Sequence, residues 1–576
     1  MTIRFLLFFI FLSGSSFVYG VERGDNRYCG PGDEPKFGSV DGPATLPQSC
    51  FYTASSATPS PGKVIRVSAD SNLQQAIERA ECGDTLELTA GATYRGEFVF
   101  PAKSCDDRHW ITVRTSGQLP PEGARMSPCY AGLDSFPGRP GYRCISPVKA
   151  LATLVVPAKG MRVTDHYRFI GLEITRPEGT GITYNLVMAR EANRVIFDRV
   201  WIHGTANDET TRGIAFPGAT FFAIIDSYFS DFHCIARTGS CVDSQTMWAG
   251  TGPVAGGTYK IVNNYLEAAG EGVLMGGGAG SATPQDIEIR RNNFYKPDFW
   301  NPSSPQFHGP TFIVKNNFEL KNASRVLFEG NWLENSWGGF SQPGFQILLT
   351  PKSQENKCPA CIVRDATLRY CLLLHSGSGI QIASAASDAG GLSQGLMNLS
   401  IHDLVIEDVS ARKYAGNGFM FQMSSSGGAF RNVSLRHLTA PVTDRQLLVI
   451  GAGERGSRME NISVVDSILA AGQYQMMSTG GRTNCAFGQR DPKDFFDACW
   501  AGYTVTGNLV VGGFDKWPNG NKSVQNLKSL ALAPDEKDAL TGLALPPDSQ
   551  YHGKASDGKD PGADIPAVRE QVADVQ

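Results

Sequence analysis

The chain has 576 residues, with 52 Lys and Arg against 56 Asp and Glu, and a formal net charge of −4. So balanced a charge provides no basic field for nucleic acid, and beyond the N-terminus no run of eighteen apolar residues offers a membrane span. Its 64 glycines and recurrent Asn-containing turns, without helical heptads, favour many short strands joined by tight turns.

Residues 1–20 read as a secretory signal. Arg4 is the early charge, Phe5 to Leu12 the apolar run, and Val18 and Gly20 the small residues before cleavage at Val21. The mature protein is therefore expected in the periplasm or outside the cell. Residues 21–62, rich in Gly, Pro and Ser, are expected to form an extension packed loosely on the cap of the next domain. In an exported chain, thirteen cysteines point to disulfides. Sequence proximity suggests Cys29–Cys50, Cys82–Cys105, Cys129–Cys144, Cys234–Cys241, Cys358–Cys361 and Cys485–Cys499, with Cys371 left over. Cys358-Pro-Ala-Cys361 has redox spacing but sits in a polar loop that opens no evident helix, so a structural bridge is favoured over redox or zinc chemistry.

From Val64 the pattern is strand, short helix (Leu73 to Ile77), then strands at Gly83 to Leu86 and Gly91 to Tyr94, with Asp70, Ser71 or Asn72 as candidate N-caps. From about residue 165 one phrase repeats: alternating β-branched or aromatic residues, then Asn, Asp or Gly, then another apolar pair. Aligning Arg199, Ser227, Asn264, Asn293 and Asn331 gives steps of 28, 37, 29 and 38 residues. Each phrase is too short to bury its own apolar face and must stack on its neighbours. The steps suit coils of three short strands, and Asn264, Asn293 and Asn331 are expected to form an internal ladder. A second strand family, including Gly213 to Phe216, Gly272 to Met275, Phe318 to Lys321 and Phe345 to Leu348, should make one continuous sheet with one face in the core and the other along a groove. The expected organisation is an all-β, right-handed parallel β-helix over 63–515 with an N-terminal capping helix. A C-terminal tail, 516–576, is expected to lie along the last coils.

The opening strand, helix and strand resemble the start of many pectate-lyase-like β-helix proteins. Gly252-Pro-Val through Glu271, Phe318-Glu-Leu-Lys-Asn322 and Glu329-Gly-Asn331 resemble a bacterial group of exported right-handed β-helix proteins. The resemblance covers roughly 62–570 and implies the fold more than an activity. A bacterial origin also implies that the sequons at Asn322, Asn398, Asn432, Asn461 and Asn521 are unmodified.

Chemistry is sought on the stacked coils. Arg212, Asp243 and Glu271 align on three successive coils, with Glu319 and Lys321 on the next, two apart and so on one face. Gln346, Gln381 and Gln422 continue the polar row. Such a groove suits a linear polysaccharide. Cleavage of a uronic-acid polymer by β-elimination needs a base and a cation to stabilise the enolate. Lys321 is the candidate base, if its pKa falls toward neutrality, an effect that Glu319 opposes. The hydrolytic alternative draws paired carboxylates from Asp243, Glu271 and Glu319. A third reading is a non-catalytic surface or adhesion solenoid whose charges only stabilise its face. Asp243 and Glu271 suggest Ca²⁺, although two carboxylates fall short of the six to eight oxygens it takes. The signatures of galacturonan hydrolases and the Asp-rich calcium cluster of pectate lyases are not evident, and His203 reads as a turn residue. The long segment from Glu271 to Lys315 offers Trp300 and His308 as sugar contacts, with Trp337 as an opposite wall. A monomer is expected.

Overall fold

The computed structural model describes residues 26–576 except 340–341, 454–457, 515 and 536–537. The expected signal at 1–20 lies outside the described residues. Short strands with one apolar face cannot stand alone, and here they stack into three parallel sheets. The first has 14 strands, from Val64–Val67 to Trp500–Thr506; the second has 14, from Thr93–Arg95 to Lys522–Val524; the third has 12, from Val99–Phe100 to Tyr474–Ser478. Within a sheet, neighbours are successive turns of the chain: Gly257–Val262 pairs with Thr220–Ile225 on one side and Gln285–Arg290 on the other. This is the parallel β-helix that the repeated phrase implies, and its last strand, Lys522–Val524, extends beyond residue 515.

Side chains alternate along each strand, so Ile287 and Ile289 face one continuous core while Glu288 faces out. Phe169 and Phe197 stack across neighbouring coils with centroids 4.7 Å apart. Between the first and second sheets the chain turns through a left-handed residue on each of several coils, among them Asp226, Asn263 and Arg291. The next residue forms the ladder. Ser227 N donates to Asn264 Oδ1, Asn264 N to Asn292 Oδ1 and Asn292 N to Asn331 Oδ1, in steps of 37, 28 and 39 residues. The ladder residue is therefore Asn292, not Asn293. Asn293 is a strand residue between Tyr265 and Trp332 in the second sheet. Asn398, Asn432 and Asn461 form a second, outer ladder of side-chain amides, and Asn322 is fully buried.

The helix Leu73–Arg79 opens the solenoid, with Asn72 Oδ1 accepting from Gln75 N as its cap. All six expected disulfides are formed, and Cys371 is free and buried. Both terminal segments extend further along the solenoid than the sequence implies. The N-terminal extension is no loose cover on the cap: it runs along the outside of the first sheet, from Phe51 packed on Trp110 and Ile196, past Gln48 N on Asp286, to Asp41 bonded by His402 and Arg369. Apolar outward residues such as Leu327, buried under Phe37 and Leu46, account for this docking. The tail likewise reaches back past the last coils. Its helix Ile565–Val572 packs on Leu372, Leu374 and Val405, and Arg125 and Arg291 donate to the carbonyls of Val575 and Gln571. Among the described residues no helix is long and apolar enough to cross a membrane.

Candidate functional site

The third-sheet strands that start at Arg212 and Glu271 begin at a bend where a glycine turns inward. A Cβ on Gly213 would strike the Thr246 carbonyl at 2.6 Å and crowd the Phe232 and Phe229 rings, and one on Gly272 would strike the Phe294 ring at 2.5 Å. The residue before each glycine therefore points outward, which places Arg212 and Glu271 on the solvent side of the sheet. The register pairs Arg212 with Gln245 and Gln245 with Glu271. Asp243 thus stands two residues before the rung position that the sequence alignment gave it. It still reaches the cluster from the preceding turn through Lys315, whose Nζ contacts Asp243 and lies 3.8 Å from Glu271 Oε1.

Lys315 and Gln245 are the central residues that sequence reasoning missed. Gln245 Nε2 donates to Glu271 Oε2 at 2.9 Å, and Glu271 Oε1 has no hydrogen-bond partner among the described residues. Glu271 is fully buried (0 % exposed). Burial and the neighbouring Asp243 push its carboxyl up to about 7, against the pull of Lys315. Burial alone would lower Lys315, but Glu271 and Asp243 outweigh it and hold the ammonium charged. Arg212 lies with its guanidinium 4.3 Å from the centre of the Trp248 ring.

On the next coil Lys321 Nζ lies 3.3 Å from Glu319 Oε1, which also accepts from Thr350 Oγ1. Gly276 and Gly277 make room for it: a Cβ on Gly276 would come within 2.8 Å of the Lys321 Cβ. Burial lowers the pKa of Lys321, yet Glu319 and Glu271 outweigh it and the net shift is upward. The downward shift that a lysine base requires is therefore absent, and Lys321 is a held cation. Its charge still acts on the same cluster, through Glu271, Lys315 and Asp243.

The remaining expected contacts divide. Gln381 stands in the outward column of Glu319, two rungs on through Leu348. Gln346 is 0 % exposed and spent on the scaffold, accepting from Asn317 Nδ2 and donating to Leu374 O. It is not a substrate contact. Trp300 and Trp337 are no sugar platform either: they are buried with Phe312, Val314 and Ala269 in an apolar cluster, and His233 stacks on Phe312 at 3.9 Å. A tryptophan in a long loop buries more apolar area by packing the loop against the coils than by facing water. The result is a stiff buttress that presents Lys315. His308 is exposed, stacked on Phe299 at 4.7 Å with Nδ1 on Gln306 O, and belongs to the loop tip.

Ca²⁺ does not fit this cluster. The Lys315 ammonium already lies against both carboxylates, and one of them titrates near neutrality. His437, Asp466 and Asp557 form a further group with metal-ligand atoms, but they fasten the tail: His437 bonds Asp557 and Gly562 O, and Asp466 accepts from Ser556 N.

No protein-family model and no curated protein sequence matches the chain. Solved structures do. An alginate lyase from Paenibacillus sp. str. FPU-7 is similar over 73 % of this chain and 98 % of its own, at 14 % identity and TM-score 0.30. Pectate lyase Pel9A is similar over 88 % and 97 %, at 11 % and 0.36. The catalytic domain of a GH87 α-1,3-glucanase in complex with nigerose is similar over 81 % and 69 %, at 10 % and 0.40. The fold itself rests on the chain's own three parallel sheets, which make a parallel β-helix.

Proposed function

We propose that this protein is exported and acts on an acidic polysaccharide along the outward face of the third sheet, cleaving it by β-elimination. Six disulfides agree with an oxidising compartment. The observation that carries the reading is Glu271, a wholly buried carboxyl raised to about 7, with the Lys315 ammonium 3.8 Å from it and Arg212 and Lys321 coupled to it electrostatically from adjoining coils. A uronate carboxylate seated on those cations competes with Asp243 for Lys315 and uncovers Glu271. Above its pKa, Glu271 takes the proton beside the substrate carboxylate. The cations stabilise the enolate, the glycosidic C–O bond breaks as the C=C bond forms, and the Lys321 ammonium returns a proton to the leaving oxygen.

One feature favours a second reading. A protonatable Glu271 beside Asp243 is the division of labour a glycoside hydrolase uses. A panel of pectin, alginate, glycosaminoglycans and neutral glucans, read for ultraviolet absorbance and for reducing ends, separates the two. New absorbance that Glu271→Gln abolishes supports elimination. Reducing ends without absorbance replace it with hydrolysis, and no turnover on any polymer leaves the non-catalytic solenoid.

A further inference from the structure

A cleft with a volume of about 1070 Å³ lies away from this site, between the second sheet and the C-terminal tail. Its floor is the outward face of Trp332–Ser336, Leu372–Ser376 and Val405–Val409, where Glu334 pairs with Leu374 and Leu374 with Glu407. The two carboxyls therefore stand two rungs apart, about 10 Å along the stack. Alternation normally sends consecutive residues to opposite faces. Here His375 and Asp408 have left-handed backbone, φ 55° and 57°, and each lines the cleft together with the residue before it. These left-handed residues, which stack in unbroken register, thus add His375 and Asp408 to the face that carries Glu334 and Glu407.

Most of these groups are fixed. Asp408 accepts from Tyr414 OH at 2.5 Å and Lys413 Nζ at 2.8 Å, Glu334 accepts from Trp332 Nε1 at 3.2 Å, and His375 lies 3.6 Å from Glu334. On the tail side Arg569 is paired with Asp538 at 2.7 Å. The Glu407 carboxyl makes no hydrogen bond with the described residues, and burial pushes it up to about 7. Its hydrogen-bonding capacity is left for a ligand.

We propose that this cleft is a second saccharide site, one that takes a neutral oligosaccharide. The half-buried Trp332 and Tyr414 rings offer apolar faces for pyranose rings. Fixed carboxylates and an unpartnered carboxyl suit sugar hydroxyls, which donate. The lysine, arginine and histidine of the cleft are already paired with Asp408, Asp538 and Glu334, so a uronate would meet carboxylates with no free cation among the described residues that line it. The volume exceeds what one sugar fills and lies at the upper end of small-ligand pockets, which run from about 300 to 1,000 Å³. The cleft thus selects against the charge that the third-sheet face selects for, and one solenoid could hold a mixed polymer at two places.

The test is calorimetric titration of the full chain with xylotetraose, cellotetraose and tetragalacturonate. At least one neutral tetrasaccharide should bind saturably, and Glu407→Gln and Trp332→Phe should each weaken that binding at least fivefold. Circular dichroism checks that both variants remain folded. The proposal is overturned if neither neutral probe binds, if neither substitution weakens binding, or if Glu407→Gln weakens tetragalacturonate binding by the same factor as the neutral probe.

Discussion

Two faces of one solenoid carry a glutamate whose carboxyl is raised to about 7, and they use it differently. On the third sheet Glu271 is fully buried, bonded by Gln245 and covered by Lys315. On the second sheet the Glu407 carboxyl has no hydrogen-bonding partner among the described residues and opens onto a cleft. The difference lies in what the connecting segments bring. The long loop before Phe318 supplies a cation to the first face, while the returning tail walls the second without committing a charge to Glu407. A regular stack fixes where outward residues stand, and irregular segments decide whether they are capped or available.

The largest expected effect tests the capped face. Glu271→Gln should lower turnover by roughly 10²–10⁴, the usual worth of a proton-transfer group, measured as initial rate on the responsive polymer. Wild-type turnover in that variant would erase the distinction between the faces. The core shared by both faces comes next. Asn292→Ala removes the acceptor for Asn264 N and the donor to Ile261 O, leaving both buried. At about 1–3 kcal/mol for each stranded group, the lesion should cost about 2–6 kcal/mol in urea unfolding. A loss below about 0.5 kcal/mol would mean the ladder is decoration.

A smaller effect is a change of pH profile. If Glu271 is the base, the rate should rise as pH climbs through about 7, whereas an acid role requires it to fall there. Lys315 lowers the Glu271 pKa, so Lys315→Met should move that midpoint upward; a midpoint that stays put removes Lys315 from the site. The smallest concerns neither face. Burial would lower the His402 imidazole, but Asp403 and Asp41 outweigh it and raise its pKa, while His402 bonds hold Asp41 and Asp403 low. The imidazolium contribution is complete below about 6.5 and disappears as pH rises through the raised value. The carboxylate contribution is complete above about 3.9 and disappears as pH falls through the depressed values. Hydrogen exchange in residues 36–46 should therefore be slowest between about pH 4 and 6.5, once the intrinsic pH dependence of exchange is divided out, and a flat profile would discount the clamp.

Much of the fold was legible because a solenoid writes its core as a repeat, and neighbouring cysteines wrote the disulfides. Errors arose where the sequence offers two equivalent letters or hides a contact. Asn292 and Asn293 are chemically identical, and only the turn decides which one enters the ladder. Asp243 attracted the alignment because it is charged, although Gln245 holds the rung. Trp300 was given to sugar because periodicity cannot report that Phe312 and Trp337 cover it. The cleft is not legible in the sequence because its walls come from residues near 334, 375, 407, 538 and 569, which only folding assembles.

The docking of both terminal segments has a mechanical consequence. A stack of coils joined only to nearest neighbours can unzip from either end. Here the N-terminal segment binds coils from Trp110 to Arg436, and the C-terminal segment returns from the last coils to Arg125. Arg27 reaches both Glu329 and Gln571, so the two ends meet on one coil. The solenoid is strapped lengthwise, and fraying at either end must also peel a strap from coils far from that end. Such a body should unravel as one unit.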